Sequence, residues 1–534
     1  MTITEQVSRI LRDFGVTVFF GIPGIHNLPF YRVFHGDGHK LVTVRHEQSA
    51  AFMADGFARA SGRIAGCLLI DGPGFLNAAT AIAQARADSI PMIVLTPCGE
   101  STESGKLHEL TGQATVAQEI TRAHTRLDRM TTVTSLGDFL DNSLRLNRPG
   151  PIHVEIPLTL LDYDLSAEKD WRPARNEQEI TDATLSDAIE VLQSAIQPVV
   201  VVGGGVVHAQ TELVEFAEMI DAPVINTTNS KGILPSGHRL SVGYSPSFLE
   251  IRDLMQEADV VIAIGTELGE TDFDFFLTSK NIECQSLIRV DIDPDQISSN
   301  ATADIGIVGD SQRVLQLFLK HDLRKERAGN ERVLRTRALV EKNIHFNNDM
   351  YAFLNVIQEQ TDILVGDSSQ PNYYAQLLYE PDLVRGYFHS VTGFGTLGYS
   401  IPATIGAKIA RPEKRVACLV GDGGAAFTLS ELQTASQLCL GIPFIIWNNE
   451  GYGEIDKAMF SESSARYYTS PRPPNFALIA QAFGMNFRQP QNLLQLKDVL
   501  AAAYREDTPT IIEVSEQEFM QENQWISWFE ESVE

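Results

Sequence analysis

The chain has 534 residues, of which 43% are hydrophobic, so it is long enough for three or four domains with packed cores. It carries 42 Lys and Arg against 69 Asp and Glu, a formal net charge of −27, which excludes nucleic acid and anionic membrane surfaces as expected partners. The sequence has no membrane-spanning apolar run and no CxxC pair among its five cysteines, and its first residues lack the basic and apolar regions of a signal peptide, so we expect none. We therefore expect a protein of the reducing cytoplasm.

Short β-branched apolar runs alternate with amphipathic stretches along the chain, which is the pattern of βαβ units and parallel sheets. The pattern occurs in three segments and predicts an α/β protein with three doubly wound parallel-sheet domains. In the first segment, residues 1–168, it predicts a helix at 5–14 and strands at 16–20, 65–70, 91–96 and 152–156. The polar stretch 168–179 is interpreted as a linker.

The second segment, residues 180–325, has strands predicted at 198–202, 259–264 and 287–292. Three glycines follow the first of these strands, as in dinucleotide-binding domains, but without GxGxxG spacing, so a bound nucleotide is left open. The charged stretch 320–342 predicts a solvated connecting helix.

The third segment, residues 345–534, has strands predicted at 363–365, 415–420 and 444–447. Its acidic end, from Glu516, is interpreted as a terminal helix or a lid.

The most informative stretch follows the strand at 415–420 and reads Gly421-Asp422-Gly423-Gly424-Ala425. Glycines let backbone N–H groups approach a phosphate, and the start of the next helix favours the anion. An aspartate inside such a turn needs a cation between its carboxylate and the phosphate, and Mg²⁺ suits oxygen ligands. Asp422 therefore indicates a magnesium-bound phosphate.

A second turn strengthens this interpretation. The 24 residues 424–447 separate the first turn from Asn448-Asn449, and parallel strands bring both turns to one edge of the sheet. Asn449 and the carbonyl of Gly451 are then candidate Mg²⁺ ligands beside Asp422, and Tyr452 is a candidate cofactor contact. Either turn alone is an ordinary strand end, but together they match the thiamine-diphosphate signature, GDG followed at this distance by NN.

With these motifs the chain resembles the superfamily of thiamine-diphosphate-dependent decarboxylases and acetolactate synthases over essentially its whole length. The resemblance implies a pyrimidine-binding domain at 1–168, a middle domain at 180–325 and a diphosphate-binding domain at 345–534. It also implies a homodimer with its sites at the interface, because the catalytic glutamate and the diphosphate turn usually belong to different subunits. Pairs of such dimers, homotetramers, are common in the family.

The family's glutamate corresponds to Glu47, within Arg45-His46-Glu47-Gln48-Ser49. Taken alone, an acid at the start of an alanine-rich helix could be a favourable first-turn charge. The resemblance implies that Glu47 hydrogen-bonds N1′ of the cofactor pyrimidine, so that the 4′-nitrogen can take the proton from C2 of the thiazolium.

Residues 392–398, Thr-Gly-Phe-Gly-Thr-Leu-Gly, resemble the family loop that folds the cofactor, and we call them the wedge loop. By resemblance the carbonyl of Gly395 accepts from the 4′-amino group, and Leu397 lies between the two rings, where acetolactate synthases have methionine. The resemblance implies further cofactor contacts at Pro23, Asn77, Ser369 and Gln370.

The first strand leads into Gly21-Ile22-Pro23-Gly24-Ile25-His26. Benzoylformate decarboxylases have a similar turn, but with serine in place of Ile25 and a catalytic histidine in place of Ile70, so their activity is not implied. Acetolactate synthases resemble residues 71–77 but carry a small residue in place of Asp71. Within the superfamily, residues 21–26, 106–110 and 447–455 resemble the 5-guanidino-2-oxopentanoate (2-ketoarginine) decarboxylases.

A guanidinium tail needs carboxylates, and Asp71, Glu109 and Glu454 are the candidates. Each also has an ordinary interpretation, as a turn cap, a surface acid or a helix start. His26 and His108 are the candidates for proton transfer, because histidine titrates near neutral pH. The remaining predicted substrate contacts are Ile25 and Gln113.

These features predict a Mg²⁺- and thiamine-diphosphate-dependent, non-oxidative decarboxylation of a 2-oxo acid to an aldehyde and CO2, with 5-guanidino-2-oxopentanoate as candidate substrate. The alternative is a carboligase of the acetolactate synthase type, which joins the acyl fragment to a second carbonyl compound. A flavin-linked oxidase and a non-catalytic subunit of the same fold are further alternatives. The presence of Glu47, Asp422 and Asn449 disfavours the last.

Overall fold

The computed structural model describes residues 1–99, 107–108, 110–129, 131, 133–145, 148–163, 171, 180–273, 282–343, 348–463 and 467–520. Its strands form three sheets in which all neighbouring pairs are parallel. The architecture confirms the predicted α/β class with three parallel-sheet domains. Among the described helices, none is long and apolar enough to cross a membrane.

The sheet of the first domain has the strand order β2-β1-β3-β4-β6-β5. Its strands are β1 (Val18–Gly21), β2 (Lys40–Thr43), β3 (Ala65–Leu68), β4 (Met92–Cys98), β5 (Ala123–Arg126) and β6 (Pro151–Pro157). Its helices are Ile3–Asp13, Leu28–Gly36, Glu47–Ser61, Pro73–Ala87, Gln113–Ile120 and Val133–Arg145. The four central strands are buried along their length and were predicted, whereas the edge strands β2 and β5 are partly exposed and were missed.

The sheet of the middle domain has the strand order β11-β10-β9-β7-β8. Its strands are β7 (Pro198–Val202), β8 (Val224–Asn226), β9 (Val260–Ile264), β10 (Leu287–Asp291) and β11 (Ile305–Val308). The helices are Asp182–Ser194, Gln210–Ile220, Leu249–Gln256, Glu270–Phe273, Ser311–Phe318 and Gly329–Asn343. The predicted strands correspond to β7, β9 and β10, the three centre strands.

The sheet of the third domain has the strand order β13-β12-β14-β15-β17-β16. Its strands are β12 (Ile363–Gly366), β13 (Tyr387–His389), β14 (Val416–Gly421), β15 (Pro443–Asn448), β16 (Asn486–Arg488) and β17 (Thr510–Ser515). Its helices are Asn348–Gln358, Gln370–Leu378, Ser400–Ala410, Asp422–Ala425, Glu431–Gln437, Gly453–Ser463, Phe476–Phe483, Leu493–Ala503 and Glu516–Phe519. The predicted strands correspond to β12, β14 and β15.

The charged stretch 320–342 differs from its prediction as a solvated helix. Only its second part is helical, in Gly329–Asn343, and that helix buries Val333 and Val340 in the core of the middle domain. The guanidinium of Arg332 donates to the carbonyl of Pro198 at 2.8 Å. The helix therefore packs on the middle domain, because a few apolar side chains at helical spacing outweigh the many charges between them.

The predicted linker 168–179 lies outside the described residues, apart from Trp171. That side chain is buried, its ring stacks on Phe14 at 5.1 Å between centroids, and its indole N–H donates to Asp138 at 2.9 Å. The chain after the first sheet is thus anchored on the first domain. The acidic end beyond residue 520 also lies outside the described residues, and the domain boundaries at 168, 180, 325 and 345 stay predictions.

The first and third domains share one hydrophobic core. The helices Glu47–Ser61 and Ser400–Ala410 meet there at glycines. A Cβ added at Gly56 would lie 2.0 Å from the carbonyl oxygen of Ala403, and a Cβ added at Gly406 would lie 2.0 Å from that of Met53. The two backbones can approach this closely only because both positions lack a side chain.

A buried ionic cluster joins all three domains beside this helix pair. Arg59 donates to Asp55 at 2.7 Å, to Asp88 at 2.6 Å and to Oδ1 of Asn229, in the middle domain, at 2.9 Å. The hydroxyl of Tyr399, in the third domain, donates to Asp55. Because every charge in this cluster has a partner, burying it is tolerated and fixes the relative positions of the domains.

We expect Gly56→Ala to destabilise the protein by about 3 kcal/mol, because the added methyl group forces the two helices apart. The measurement is urea denaturation followed by circular dichroism. Gly36→Ala is the matched control, since a Cβ at Gly36 has nothing within 4 Å. Equal effects of the two substitutions would contradict the close helix contact.

Candidate active site

The first half of the site lies at the carboxyl ends of the first sheet's strands. Glu47 begins the helix Glu47–Ser61, and its half-buried carboxylate accepts from Nδ2 of Asn77 at 2.9 Å. Asn77 belongs to the second turn of the helix Pro73–Ala87. A Cβ added at Gly74, in the first turn, would lie 3.4 Å from Oε1 of Glu47. The start of one helix therefore fixes the direction of the carboxylate on the other.

His26, Asp71 and His108 form a cluster beside it. Nδ1 of His26 lies 3.0 Å from Oδ1 of Asp71, and the rings of His26 and His108 pack edge to face with 5.2 Å between centroids. Gly72 makes this approach possible, since its φ is +60° and a Cβ there would lie 2.4 Å from the carbonyl oxygen of His108. The structure thus brings together two predicted proton-transfer residues and one predicted substrate contact.

Gln113 lies behind this cluster. Its buried amide accepts from the N–H of Gly72 at 2.9 Å and donates to Oε1 of Glu155 at 2.8 Å and to Oγ1 of Thr96 at 3.3 Å. These bonds hold the turn that presents Asp71. A substrate contact of Gln113 itself stays a prediction.

The remaining predicted residues of this half lie at the surface or outside the described residues. Pro23 is exposed, and Ile25 is 83% exposed. Ile70 packs under this turn, with its Cδ1 2.7 Å from a Cβ added at Gly24. Glu109 lies outside the described residues.

The second half of the site is the turn after β14. Asp422 is buried, and its Oδ1 has no hydrogen-bond partner among the described residues. Burial raises the pKa of Asp422 to about 6, against the opposing effect of nearby backbone N–H groups, that of Asn449 first. An unpartnered carboxylate oxygen in a buried turn is typical of a site that receives a cation.

The loop after β15 closes over this turn. Burial raises the pKa of Glu516, against the opposing effects of Lys457 and of the nearby side chain of Asn449. A Cβ added at Gly423 would lie 2.7 Å from the ring of Tyr452, so the ring covers the glycine turn. No role was predicted for Glu516, although it directly follows the carboxyl end of β17.

Ser369 and Gln370 follow β12 and begin the next helix. Ser369 lines the diphosphate turn, with its Cβ 3.3 Å from a Cβ added at Gly421. Gln370 is turned toward Trp447, whose indole N–H donates to its Oε1 at 3.2 Å, while its Nε2 is buried without a partner among the described residues. Both predicted residues therefore lie beside the turn, but on different sides of it.

Asp367 joins the turn to the wedge loop, and no role was predicted for it. Its buried carboxylate accepts from the backbone N–H of Gly398 at 3.3 Å and of Ser400 at 3.0 Å, and its Oδ1 lies 3.3 Å from a Cβ added at Gly424. Burial raises its pKa, against the effect of these hydrogen bonds. The signal in the sequence was an aspartate at the carboxyl end of a buried strand.

The wedge loop projects from the surface of the third domain. Gly395 has φ +66° and nothing within 4 Å of an added Cβ, so the loop is open on that side. Phe394 is 55% exposed, and Leu397 is half-buried. The loop therefore presents its apolar residues and the backbone of Gly395 outward.

Within one chain the contact of Glu47 and the contact of the wedge loop lie apart along one helix. The helix Pro73–Ala87 contacts Glu47 through Asn77, but it contacts the wedge loop through Gln84, seven residues further along. At 1.5 Å per residue this separates the two contacts by about 10 Å. Likewise Asp55, which bonds Tyr399, lies about 12 Å along its helix from Glu47.

A cavity of about 480 Å³ lies where the three domains meet. The predicted glycine turn, Gly203, Gly204 and Gly205, forms one wall, together with strand ends of the middle sheet at Gly265 and Asp291. Arg148 and Glu267 in its lining form an ion pair with each other. A Cβ added at Gly203 would lie 2.4 Å from the carbonyl oxygen of Gly265, so this backbone contact requires glycine after β7. A nucleotide at this place stays an open interpretation.

Comparison with known proteins agrees with this geometry. Three family models match in order: the N-terminal TPP binding domain of thiamine pyrophosphate enzymes at residues 1–123, their central domain at 185–318 and their C-terminal TPP binding domain at 365–514. The fold and the site thus define a thiamine-diphosphate-dependent enzyme, and the chain belongs to the thiamine pyrophosphate enzyme family.

Individual relatives cover nearly the whole chain. A probable 2-ketoarginine decarboxylase of Pseudomonas aeruginosa is 34% identical, over 96% of this chain and 94% of the relative. The large subunit of acetolactate synthase isozyme 3 of Escherichia coli is 30% identical, over 90% and 88%. A probable acetolactate synthase large subunit of Methanocaldococcus jannaschii is 28% identical, over 96% and 91%.

We expect Asp422→Asn to stabilise the metal-free protein above pH 6. The pKa of Asp422 is about 6 in the folded protein against 3.8 ordinarily, so the wild type loses stability as the pH rises from about 4 to about 6. Solvent near the turn screens part of this loss, and the variant should gain about 2 kcal/mol at pH 7–8. Urea denaturation in chelator measures the gain, which should vanish near pH 4. A gain of the same size at every pH would argue against an ionised, unpaired carboxylate.

Proposed function

We propose that this protein is a Mg²⁺- and thiamine-diphosphate-dependent decarboxylase that converts a 2-oxo acid to an aldehyde and CO2. The observation that carries the proposal is the buried, unpartnered oxygen of Asp422 in a glycine turn that Asn449 and Gly451 adjoin. Bound thiamine diphosphate supplies an acidic C2 and an electron sink, which accepts the electron pair that remains when CO2 leaves. The protein's own residues position the cofactor, the metal and the substrate.

The residues at the turn fit Mg²⁺ and a diphosphate. Asp422 offers one oxygen without a hydrogen-bond partner among the described residues, and the side-chain amide of Asn449 would supply a second oxygen. With the carbonyl of Gly451 they form a set of oxygen donors, which Mg²⁺ prefers. The glycine-rich turn 421–425 and the start of its helix would hold the phosphates. We assign Ser369, Gln370 and Tyr452 to the same end of the cofactor.

The pyrimidine end of the cofactor needs an acid at N1′ and apolar residues that hold its two rings together. Glu47, oriented by Asn77, would donate to or accept from N1′ of the pyrimidine, and Leu397 and the carbonyl of Gly395 would hold the two rings together. Pro23 lies at the rim of the same half. We assign proton transfer to the acyl fragment to His26 and His108. Their rings pack together at the same edge of the first sheet as Glu47.

We also propose that the active unit is at least a homodimer, and in keeping with the family a homotetramer. Support comes from the separation of about 10 Å between the Glu47 contact and the wedge-loop contact along one helix. Exposed apolar side chains flank both halves, Ile25 and Leu76 on one and Phe394 and Phe427 on the other, at 47–83% exposure. A second copy that covers these side chains would bring its Glu47 to the diphosphate turn.

The substrate we propose is 5-guanidino-2-oxopentanoate. Asp71 and Glu454 are the described acids on the two sides of the site; Asp71 lies 3.0 Å from Nδ1 of His26, and Glu454 pairs with Lys457 at 3.2 Å. A guanidinium would compete with these partners for the carboxylates, as arginine does in bidentate pairs. Glu109 stays a third candidate outside the described residues. The similarity to a probable 2-ketoarginine decarboxylase supports this choice.

The second candidate function is a carboligase that adds the acyl fragment to a second carbonyl compound. The similarity to acetolactate synthase large subunits favours it, and the cofactor site would be the same. The two functions differ only in whether the acyl fragment is protonated or reacts with a second carbonyl substrate. Product analysis separates them, since one gives a free aldehyde and the other a hydroxyketone.

We expect Glu47→Gln to lower the rate of C2–H exchange of the bound cofactor, and CO2 release with it, by about 10²–10⁴-fold. The substitution removes the ionisable partner of N1′ and leaves the diphosphate turn unchanged, so calorimetry should still detect cofactor binding. Exchange is measured by quenched-flow NMR. Wild-type exchange in the variant would show that Glu47 has another role.

The same variant tests the dimer. Glu47→Gln and Asp422→Asn homodimers should each be nearly inactive, but subunits exchanged between them form one site with both residues intact. The mixture should therefore recover up to about a quarter of wild-type activity by random pairing of subunits. Mixing with a second preparation of Glu47→Gln is the control. No recovery, with subunit exchange verified by mass spectrometry, would place both residues in one chain's site.

CO2 release across a panel of 2-oxo acids tests the substrate. The panel comprises 5-guanidino-2-oxopentanoate, pyruvate, benzoylformate and branched-chain acids, and we expect the highest kcat/KM for the first. Glu454→Gln should raise KM for that acid by about tenfold and leave pyruvate unaffected, because one charge-assisted hydrogen bond is lost. Glu359→Gln, which breaks a surface ion pair with Lys497, is the control. Preference for an uncharged acid would remove this substrate and leave the cofactor chemistry standing.

A further inference from the structure

The side chain of Gln84 makes four hydrogen bonds, the full capacity of its amide. It is completely buried in the helix Pro73–Ala87 of the first domain. Its Oε1 accepts from the N–H of Thr396 at 3.3 Å and from the hydroxyl of Thr396 at 3.0 Å. Its Nε2 donates to the carbonyl of Thr392 at 2.8 Å and to Oδ2 of Asp88 at 2.7 Å.

Three of these bonds reach the wedge loop from another domain. Thr392 and Thr396 are the two ends of its open part, with Gly393 and Gly395 between them at φ +73° and +66°. A loop with two glycines in left-handed conformation has many alternative shapes, because glycine loses most entropy on ordering. A single planar amide that bonds both ends selects one of these shapes.

The fourth bond connects the amide to the buried ionic cluster. Oδ2 of Asp88 accepts from both Gln84 and Arg59, and its Oδ1 accepts from Nδ2 of Asn229 at 3.2 Å. Asp88 is thereby fixed by the first and the middle domain together. Asp88 therefore fixes the position of Gln84 relative to the buried ionic cluster that joins the domains. Through Gln84, the same cluster fixes the position of the wedge loop.

We propose that Gln84 is a positioning residue that holds the wedge loop in the shape the folded cofactor requires. The inference rests on the proposed function, in which Leu397 and the carbonyl of Gly395 hold the cofactor rings. Gln84 is not a cofactor contact; it acts through Thr392 and Thr396. Losing it should release the loop between these two threonines, while the end of the loop at Gly398, which donates to Asp367, and the diphosphate turn stay in place.

The test compares Gln84→Leu, which fills the same space without hydrogen bonds, with Gln376→Leu. Gln376 is also buried and also donates across domains, from Nε2 to the carbonyl of Thr271 at 3.1 Å, but it makes no bond to the loop. Gln84→Glu is a second variant with the shape of glutamine, which keeps the acceptor toward Thr396 and loses both donors.

Two readouts are needed. Amide hydrogen exchange in the cofactor-free protein should rise about tenfold or more in residues 392–398 of both Gln84 variants and stay unchanged in Gln376→Leu. With thiamine diphosphate and Mg²⁺ added, C2–H exchange should fall by about 10–100-fold, as a misplaced group implies, while the calorimetric affinity stays close to that of the wild type.

Unchanged protection of residues 392–398 in both Gln84 variants would overturn the inference. So would a released loop with normal C2–H exchange, and so would an equal response of Gln376→Leu, which marks a general loss of structure. If the wild type itself bound no thiamine diphosphate, the proposed function would fail instead, and the amide exchange would still decide whether Gln84 holds the loop.

Discussion

The close contact between the helices Glu47–Ser61 and Ser400–Ala410 is the constraint on which the rest of the structure depends. Gly56 and Gly406 let the backbones touch, and this fuses the first and third domains into one core. The contact also fixes where each half of the site lies. It places the wedge loop against Gln84, about 10 Å along the helix Pro73–Ala87 from Asn77, which contacts Glu47. The positions of Glu47 and of the wedge loop in one chain are therefore a consequence of how two helices pack.

Several carboxylates are buried in this protein, and they differ in how their charge is compensated. Carboxylates of Asp55 and Asp88 are paired with Arg59, and that of Asp367 is surrounded by N–H donors, so these acids stabilise the domain junction and the loop. One oxygen of Asp55 and one oxygen of Asp422 have no hydrogen-bond partner among the described residues, but only Asp55 has a guanidinium beside it, whereas Asp422 has no ion pair within the described part of the chain. An uncompensated carboxylate costs stability in the metal-free protein. Its retention is understandable if a cation occupies the turn in the working enzyme.

The net charge of −27 describes the whole surface and not the active site. The field of the whole surface disfavours polyanionic partners. The cofactor and a 2-oxo acid are also anions, but they act at a site whose charge is set by a few groups. Backbone N–H groups at helix starts and a divalent cation would offset the diphosphate there. The acids Asp71 and Glu454, which we propose as substrate contacts, would suit a substrate with a cationic tail.

The sequence alone determined the parts of this protein that local pattern specifies. Central strands appear as continuous apolar runs because both faces of a parallel sheet are buried, and the two turns after β14 and β15 follow from strand ends at fixed spacing. Edge strands such as β2 and β5 lack that pattern and were missed. Only the tertiary structure decided which side chains meet: that Gln113 supports a turn, that Glu516 lies near Asn449, and that Gln84 bonds the wedge loop from another domain. The bond between Gln84 and Thr396 joins residues 312 positions apart, and no local pattern encodes such contacts because they depend on how whole domains pack.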